Sequence, residues 1–297
     1  MKSRLIAEPS QEASSANSRA SRRHLKDVMA RGTCVAFTFL AIVPLASVLL
    51  YIGAKGVSGL SWSFFTELPK PVGESGGGMA NALGGTLFLV GLACAVGIPV
   101  GVLSGVYLAE FGGRGRFATV VRFCADVMSG VPSIAVGIFV YTLVVLSMRR
   151  FSALAGGMAL GILMVPTIMR TTEELLKLVP DSLREAGLAL GIPKWRVILR
   201  VVLRTGASGI ATGIMLAVAR VAGETAPLLF TAFNNRFWSA RLDRPMGSLP
   251  VQIYTYAVSP YAEWHRQAWA AALVLVGMVL ALNVLARLLT WPRGGSR

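Results

Sequence analysis

The sequence predicts an all-α protein, a polytopic bundle of about six membrane-spanning helices. Hydrophobic residues make up 54% of the 297 residues and charged residues only 14%, whereas soluble domains carry about 25% charged residues. The mean hydropathy is +0.63, and several apolar runs are long enough to cross the roughly 30 Å of bilayer hydrocarbon as helices. A soluble chain this apolar could not cover its surface with polar groups.

The apolar runs divide the chain into six spans and their connections. The residues 1–32 are rich in Ser and Arg, and we expect a disordered cytoplasmic tail there. A cleaved signal peptide is disfavoured because the first apolar run is too long and no small-residue cleavage site follows it. Residues 170–204 form a polar cytoplasmic loop within a transmembrane domain over 33–290, and residues 291–297 form a short cytoplasmic tail. The expected spans are 33–53, 82–109, 127–147, 153–169, 205–230 and 268–290.

Basic residues are distributed unequally between the two sides of the predicted bundle. Of the 29 Lys and Arg residues, 20 fall on the side of the two termini, 8 fall in the opposite loops, and Arg220 lies within a span. Cytoplasmic loops carry such an excess, so both termini are predicted to be cytoplasmic. The clustering of basic residues between apolar runs also argues against a nucleic-acid partner, despite the net charge of +15.

Neither a metal site nor a cofactor site is predicted. The three cysteines are scattered in or beside apolar runs without metal or disulfide spacing, and we interpret them as small core residues. Both histidines lie outside the spans. The first outer loop contains the aromatic run Trp62–Phe65. We expect its rings at the membrane–water interface, where they would anchor the chain.

The polar loop contains a short amphipathic helix. Ser182 and Glu185 have the spacing of a capping box. Gly191 is a natural helix terminator, and Pro193 stops the helix and can open the next one. Gly187 leaves room for close approach. Two interpretations remain open at this point: an ordinary capped interfacial helix with Glu185 acting only as a cap, or a surface on which another protein docks.

The fifth span contains two charged residues on one helical face. Arg220 is expected near the middle of the span, and Glu224 lies four residues further on. A central Arg costs about 2.5–3.5 kcal/mol on insertion scales, so it should face a partner or a polar cavity. The pair either fixes packing or provides a cation that binds an oxyanion while Glu224 orients the guanidinium. Pro227 is expected to break the helix and free carbonyls beside the pair.

Other charges lie near the inner ends of the third and fourth spans. Arg122 and Asp126 are four residues apart and are expected to pair with each other. Arg170 and Glu173 are interpreted mainly as structural, and they are also candidates for lining a cytoplasmic exit.

The polar loop resembles a cytoplasmic loop of ABC importer permeases. That loop has the pattern Glu-Ala-Ala, then three residues, Gly, nine residues and Ile-x-Leu-Pro. The matching positions are Glu185, Ala186, Gly191, Val201 and Leu203. Gly187 replaces the second Ala and Arg204 replaces the Pro. The resemblance implies that Glu185, Ala186, Gly187 and Gly191 dock in a groove of an ATP-binding subunit.

Further segments resemble the phosphate-specific ABC permeases, and among them the PstA type. These segments are Trp62–Pro69, Gly76–Gly78, Gly84–Thr86, Ser129–Ser133, Ala219–Leu228 and Leu249–Tyr254. The continuation Thr225–Phe230 and the element Gln252–Tyr254 favour this type over the PstC-type sister subunit. The resemblance implies an ABC type I importer permease fold in a bacterial inner membrane. It also implies a second homologous permease, two copies of an ATP-binding subunit, and a periplasmic protein that delivers inorganic phosphate.

Two other function classes compete with this interpretation. One is an intramembrane enzyme that uses Glu224 or Asp126 as an acid or base, although the sequence offers no nucleophile or metal cluster beside them. The other is an ABC permease for a different oxyanion, such as molybdate or sulfate. The sequence has no phosphate-cradling Gly-Lys loop, so the chain is not expected to be an enzyme that hydrolyses ATP itself.

Overall fold

The computed structural model describes residues 10–71, 74, 76–113 and 115–290, and these residues form helices and connecting turns without a strand. Five helices are long and apolar enough to cross a membrane, and a bent helix pair raises the number to six. The all-α polytopic fold is therefore confirmed. The helices are α1 (Ser10–Val57), α2 (Trp62–Thr66), α3 (Ala80–Glu110), α4 (Arg116–Gly130), α5 (Ser133–Val140), α6 (Leu146–Met148), α7 (Ala153–Lys177), α8 (Asp181–Ala189), α9 (Lys194–Val197), α10 (Leu203–Ala222), α11 (Ala226–Thr231), α12 (Leu249–Ala257) and α13 (Ala262–Thr290).

Most of helix α1, up to Ala54, belongs to one compact unit, and the described residues from Lys55 onward form a second unit. The apolar stretch of α1, Lys26–Val57, contains the first predicted span. The helix begins at Ser10, so residues 10–32 are helical where disorder was expected. This segment is rich in good helix formers and lacks proline, and an adjoining apolar helix supplies the costly nucleus from which it can propagate. Residues 1–9 of the expected N-terminal tail and the whole expected C-terminal tail, 291–297, lie outside the described residues.

The third span is bent rather than straight. The chain bends by 106° between α4 and the segment Ser133–Met148 that begins with α5. The expected span 127–147 assumed one continuous helix. Val131 is extended, with ψ 131°, and Pro132 follows it. A proline disfavours helical backbone at the residue before it and has no N–H to donate. A π-turn, Tyr141–Val145, then connects α5 to α6.

The other span boundaries also differ from the expected ones. Helix α7 continues to Lys177, beyond the expected end at residue 169, because charged residues in its last two turns pair along the helix. A π-turn, Ile198–Val202, joins α9 to α10, so one apolar helix runs from Lys194 to Ala222. It ends eight residues before the expected limit of 230. Much of the predicted polar loop 170–204 is therefore helical.

Helix α7 is the centre of the second unit. Its most apolar stretch is 67% buried, against 33% for α3 and less for the other candidate spans. Glycines four residues apart on α3 allow the two backbones to approach closely. A Cβ on Gly101 would lie 2.7 Å from the Cβ of Ile168, and a Cβ on Gly105 would lie 2.6 Å from that of Thr172. This is the small-residue packing that holds helices together in lipid.

The outer loops pack on each other and on the ends of the helices. Phe64 is completely buried beside Tyr256, which stacks on Trp264 with 4.4 Å between ring centroids. The expectation of an interfacial anchor is therefore wrong for Phe64, while Trp62 is exposed. Sequence periodicity could not distinguish the two rings, because the burial of Phe64 depends on tertiary contacts with residues such as Met79, Leu249 and Tyr256.

Replacing Gly101 by Leu should destabilise the protein by about 1–3 kcal/mol or more, because the added side chain meets α7 at full packing density. Gly91 is the matched control, since it lies on the same helix with nothing within 4 Å of its Cβ position. The thermal unfolding midpoint of the purified protein measures the difference. Equal midpoints for Gly101→Leu and Gly91→Leu would contradict the close α3–α7 seam.

Candidate functional site

Arg220 and Glu224 lie at a break in the fifth span. Arg220 is in the last turn of α10, and Gly223 caps the helix by donating its N–H to the Arg220 carbonyl at 3.2 Å. The expectation that Arg220 lies in the middle of a longer helix is therefore wrong. Its Nε is 3.8 Å from Oε1 of Glu224, which is an ion pair without a close hydrogen bond. The Arg220 side chain remains 48% exposed, against 17% for Glu224.

The break itself precedes the proline that was expected to cause it. Residues 223–225 are not helical, and Pro227 occupies one of the first two positions of α11, where its missing N–H costs nothing. Pro227 contacts Gly137 so closely that a Cβ on Gly137 would lie 2.6 Å from its Cα. The two interrupted spans therefore touch within two turns of their breaks.

A cluster of five charged residues connects α4 to α7. Glu173 is the buried centre, with a side chain only 1% exposed. Its Oε1 accepts from Nε of Arg122 at 2.6 Å and from Nζ of Lys177 at 2.5 Å. Arg170 donates to the other oxygen, Oε2, at 3.4 Å. Arg170 also binds Asp126 through both ends of its guanidinium fork, with 2.8 Å from Nε to Oδ1.

This cluster changes two expectations. Arg122 and Asp126 do not pair with each other, because each finds a partner on α7 across the helix interface. Glu173 is enclosed by three cations and does not line an open surface. A buried carboxylate needs such partners to remain charged. Arg170, at 30% side-chain exposure, retains access to the surface.

Helix α8 has the predicted C-terminal signal but not the predicted N-terminal one. Gly191 has φ +71°. Its N–H donates to Leu188 at 2.9 Å, and the next N–H, of Ile192, donates to Gly187 at 3.3 Å, which is a Schellman ending. The N-cap is Pro180, without a side-chain hydrogen bond. The expected Ser182–Glu185 capping box is therefore wrong, because Ser182 already lies inside the helix.

The candidate docking residues do not share one surface. Glu185, Ala186 and Gly191 are exposed, and Glu185 forms no ion pair with another described residue. Gly187 is buried, and a Cβ there would lie 2.9 Å from Cγ2 of Val197. Its small size therefore serves contact between α8 and α9 within this chain. Large apolar side chains, including Leu188 and Leu190, are exposed near it.

An ion pair that the sequence did not indicate holds α8 to α3. Arg184 donates from its NH2 group to Oε1 of Glu110 at 2.7 Å and to the Leu176 carbonyl at 2.7 Å. Lys194 donates to the Glu110 carbonyl at 2.8 Å. The hydrogen bonds to Glu110, then the charge of Glu110 and that of Asp181, raise the pKa of the Arg184 guanidinium, against the opposing effect of burial. Nothing local in the sequence connects Glu110 with a residue 74 positions away.

A cavity of about 530 Å³ lies beside this ion pair. Helix α8, the end of α3 and the start of the 194–222 helix enclose it. Its lining residues include Glu110, Lys177, Asp181, Arg184, Glu185 and Lys194. The lining therefore contains both acidic and basic groups. Within the described part of the chain, no cluster of three or more His, Cys, Asp or Glu side chains has metal-binding geometry.

Comparison with known proteins identifies the family. A family model for the binding-protein-dependent transport system inner membrane component matches residues 97–290. The phosphate transport system permease protein PstA of Yersinia pestis is 53% identical over 79% of this chain and 80% of its own length. PstA of Haemophilus influenzae is 47% identical over 81% of this chain and 85% of its own length. PstA 1 of Mycobacterium tuberculosis is 38% identical over 90% of this chain and 88% of its own length.

Solved structures show the same fold at low sequence identity. A crystal structure of a bacterial alginate ABC transporter, in complex with its alginate-bound periplasmic protein, aligns with a TM-score of 0.62 at 14% identity. The alignment covers 92% of this chain and 96% of that one. The inward-facing MetNI methionine ABC transporter aligns with a TM-score of 0.56 at 19% identity. That alignment covers 71% of this chain and 93% of the other one. The expected importer permease fold is thus confirmed. By the identity to its sequence relatives, the chain belongs to the binding-protein-dependent transport system inner membrane components, and within them to the PstA-type phosphate transport permeases.

Proposed function

We propose that this chain is the membrane permease subunit of an ATP-driven importer of inorganic phosphate, with Arg220 as a phosphate-binding group on its path. The observation that carries the assignment of Arg220 is its position: the guanidinium lies at a helix break and is half-exposed. A guanidinium used only for packing would be enclosed by its partner, as Arg122 and Arg184 largely are.

The chemistry of the pair suits transient binding of an anion. A guanidinium presents planar N–H donors that match two oxygens of a phosphate. Glu224 lies at 3.8 Å from Nε, so it orients Arg220 without saturating its donors. The carboxylate also lowers the net positive charge of the site. An anion should therefore bind and leave, which a conduction path requires.

The two ends of the second unit support an assignment of partners and of orientation. The end with α8 carries the exposed Glu185, Ala186 and Gly191, and we assign it to the cytoplasm, where two copies of an ATP-binding subunit would meet this permease and a second, homologous one. The opposite end, with the packed outer loops, would receive a periplasmic phosphate-binding protein. This assignment places both termini in the cytoplasm of a bacterial inner membrane, in agreement with the excess of basic residues.

The variant Arg220→Gln should reduce phosphate uptake by about tenfold to a hundredfold, since charge-assisted hydrogen bonds contribute about 1.5–3 kcal/mol. Uptake is measured in vesicles containing the complete complex. The variant Arg31→Gln is the control, because it removes an exposed arginine of α1, in a different unit from the proposed path and from both proposed docking surfaces. Full uptake by Arg220→Gln, or failure of its complex to assemble, would contradict the binding role.

The variant Glu185→Lys should greatly reduce recovery of the ATP-binding subunit with the membrane subunits. The charge reversal lies on the exposed side of α8, where docking is proposed. The variant Glu67→Lys makes the same change at the exposed opposite end and should leave recovery unchanged. Co-purification measures both, and equal recovery would refute the docking surface.

The variant Glu110→Gln should loosen α8, because it removes the charged acceptor from a mostly buried ion pair worth about 1.5–3 kcal/mol. Trypsin cleavage after Arg184 should become about tenfold faster or more. The variant Asp181→Asn removes the other acidic partner of Arg184, which is 87% exposed, and should have little effect because exposed pairs contribute about 0–1 kcal/mol. Equal cleavage rates would rule out Glu110 as the anchor.

A further inference from the structure

One face of α10 is polar and open along its whole length. Glycines on one side pack against α7, where Gly209 meets Leu175 and Gly213 meets Thr171. Apolar residues on another side, including Ile214 and Val218, line a small gap toward α13. The remaining face carries exposed residues, most of them four positions apart. These residues are Arg204, Thr205, Ala207, Ser208, Thr212, Leu216 and Arg220.

This face does not resemble a surface covered by lipid. The exposed positions of α13 include Leu280, Val284 and Leu288, which is the composition that lipid requires. On α10, five of the seven exposed residues carry a hydroxyl or a charge, and Leu216 is the only large apolar side chain among them. Thr205 and Thr212 bond to carbonyls one turn earlier, both at 2.9 Å, which makes a hydroxyl tolerable in lipid. That arrangement does not compensate the two arginines, whose exposure to hydrocarbon would be far more costly.

The polar face continues onto α7 at the point where the two helices meet. Thr171 contacts Gly213, so it lies directly beside Thr212. Thr167 lies one turn before Thr171, and its carbonyl accepts the Thr171 hydroxyl at 2.8 Å. Arg170, directly before Thr171, is partly exposed, and Glu174 is exposed three residues after it. The two helices thus present hydroxyls and charges side by side.

Toward the end that carries α8, the face becomes basic. Exposed residues recur at Arg196 and Arg200 before Arg204. The π-turn Ile198–Val202 contains more residues per turn than an α-helix, so these three arginines stay close to one line. None of the three forms an ion pair with a described carboxylate, and Arg196 instead stacks near Trp195 at 5.0 Å.

We propose that this face of α10, with the adjoining face of α7, is one wall of a water-filled exit path that leads phosphate from Arg220 to the end of the molecule with α8. The inference rests on the proposed function. The hydroxyls of Ser208 and Thr212 provide a polar but uncharged middle section between Arg220 at one end and the three arginines at the other. An anion can cross such a section without being trapped, since strong sites along the whole path would prevent release.

Cysteine accessibility tests the wall directly. Cys34, Cys94 and Cys124 are first replaced by Ala in the complete transporter, and Ser208→Cys and Thr212→Cys are introduced singly. The control is Thr38→Cys, because Thr38 is an exposed α1 hydroxyl bonded to a carbonyl one turn earlier, between exposed Phe37 and Phe39. Vesicles are treated with an anionic and a cationic methanethiosulfonate of similar size, without nucleotide and with ATP plus vanadate.

Both test variants should react at least about tenfold faster than Thr38→Cys in one of the two nucleotide states, because only a hydrated thiol forms the reactive thiolate. Each rate is divided by the rate of the same reagent with a small free thiol. The corrected rate of the anionic reagent should be about tenfold higher than that of the cationic one, since flanking arginines concentrate anions. Reaction no faster than the control in both states would overturn the proposal, as would a preference for the cation.

The same vesicles separate this inference from the proposed function. If the cysteine-free complex failed to import phosphate while the two test cysteines reacted with anion preference, the assignment of phosphate would fall and the anion-conducting wall would stand. If phosphate import were normal and both cysteines were unreactive, the function would stand and the wall would be refuted.

Discussion

The close packing of α7 against α3 and α10 is the constraint on which the rest of the structure depends. Helices in lipid gain little from the hydrophobic effect on association, so van der Waals contact at short range must hold them. Glycines supply that contact on both partners of α7, at Gly101 and Gly105 of α3 and at Gly209 and Gly213 of α10. Because α7 is fixed on both sides, its charged last turns can point only toward α4 and the open face.

Two interrupted spans give the bundle an asymmetric interior. The breaks before Ser133 and after Ala222 leave backbone groups without helical partners, which membrane proteins tolerate only inside protein or beside water. On one side, Gly137 and Pro227 close the gap by direct contact. On the other side, Arg220 remains half-exposed. The same discontinuity thus makes one rigid contact and one accessible cation, and an unbroken helix could provide neither at that depth.

The sequence predicted the fold class, about six spans where the described residues form five or six, and the helix end at Gly191. Apolar length and a left-handed glycine are local properties. The sequence did not predict the bend at Pro132, since the apolar run continues through it. It also failed for Arg122 and Asp126, where spacing suggested a pair within one helix and the true partners lie on α7. The family resemblance assigned Gly187 to docking. Its burial against Val197 could not be predicted, because that contact depends on how the chain after α8 folds back.

Ion pairs at the α8 end join these helices into one body. Glu110 connects α3 to α8 through Arg184, and Arg122 connects α4 both to the Leu108 carbonyl of α3 and to Glu173 of α7. A displacement of α8 therefore reaches α3, α4 and α7 together rather than one helix at a time. Packed interfaces of this kind move as units. Movement that opens and closes the polar face of α10 must then occur between this body and whatever faces it across the path, which in our proposal is the second permease.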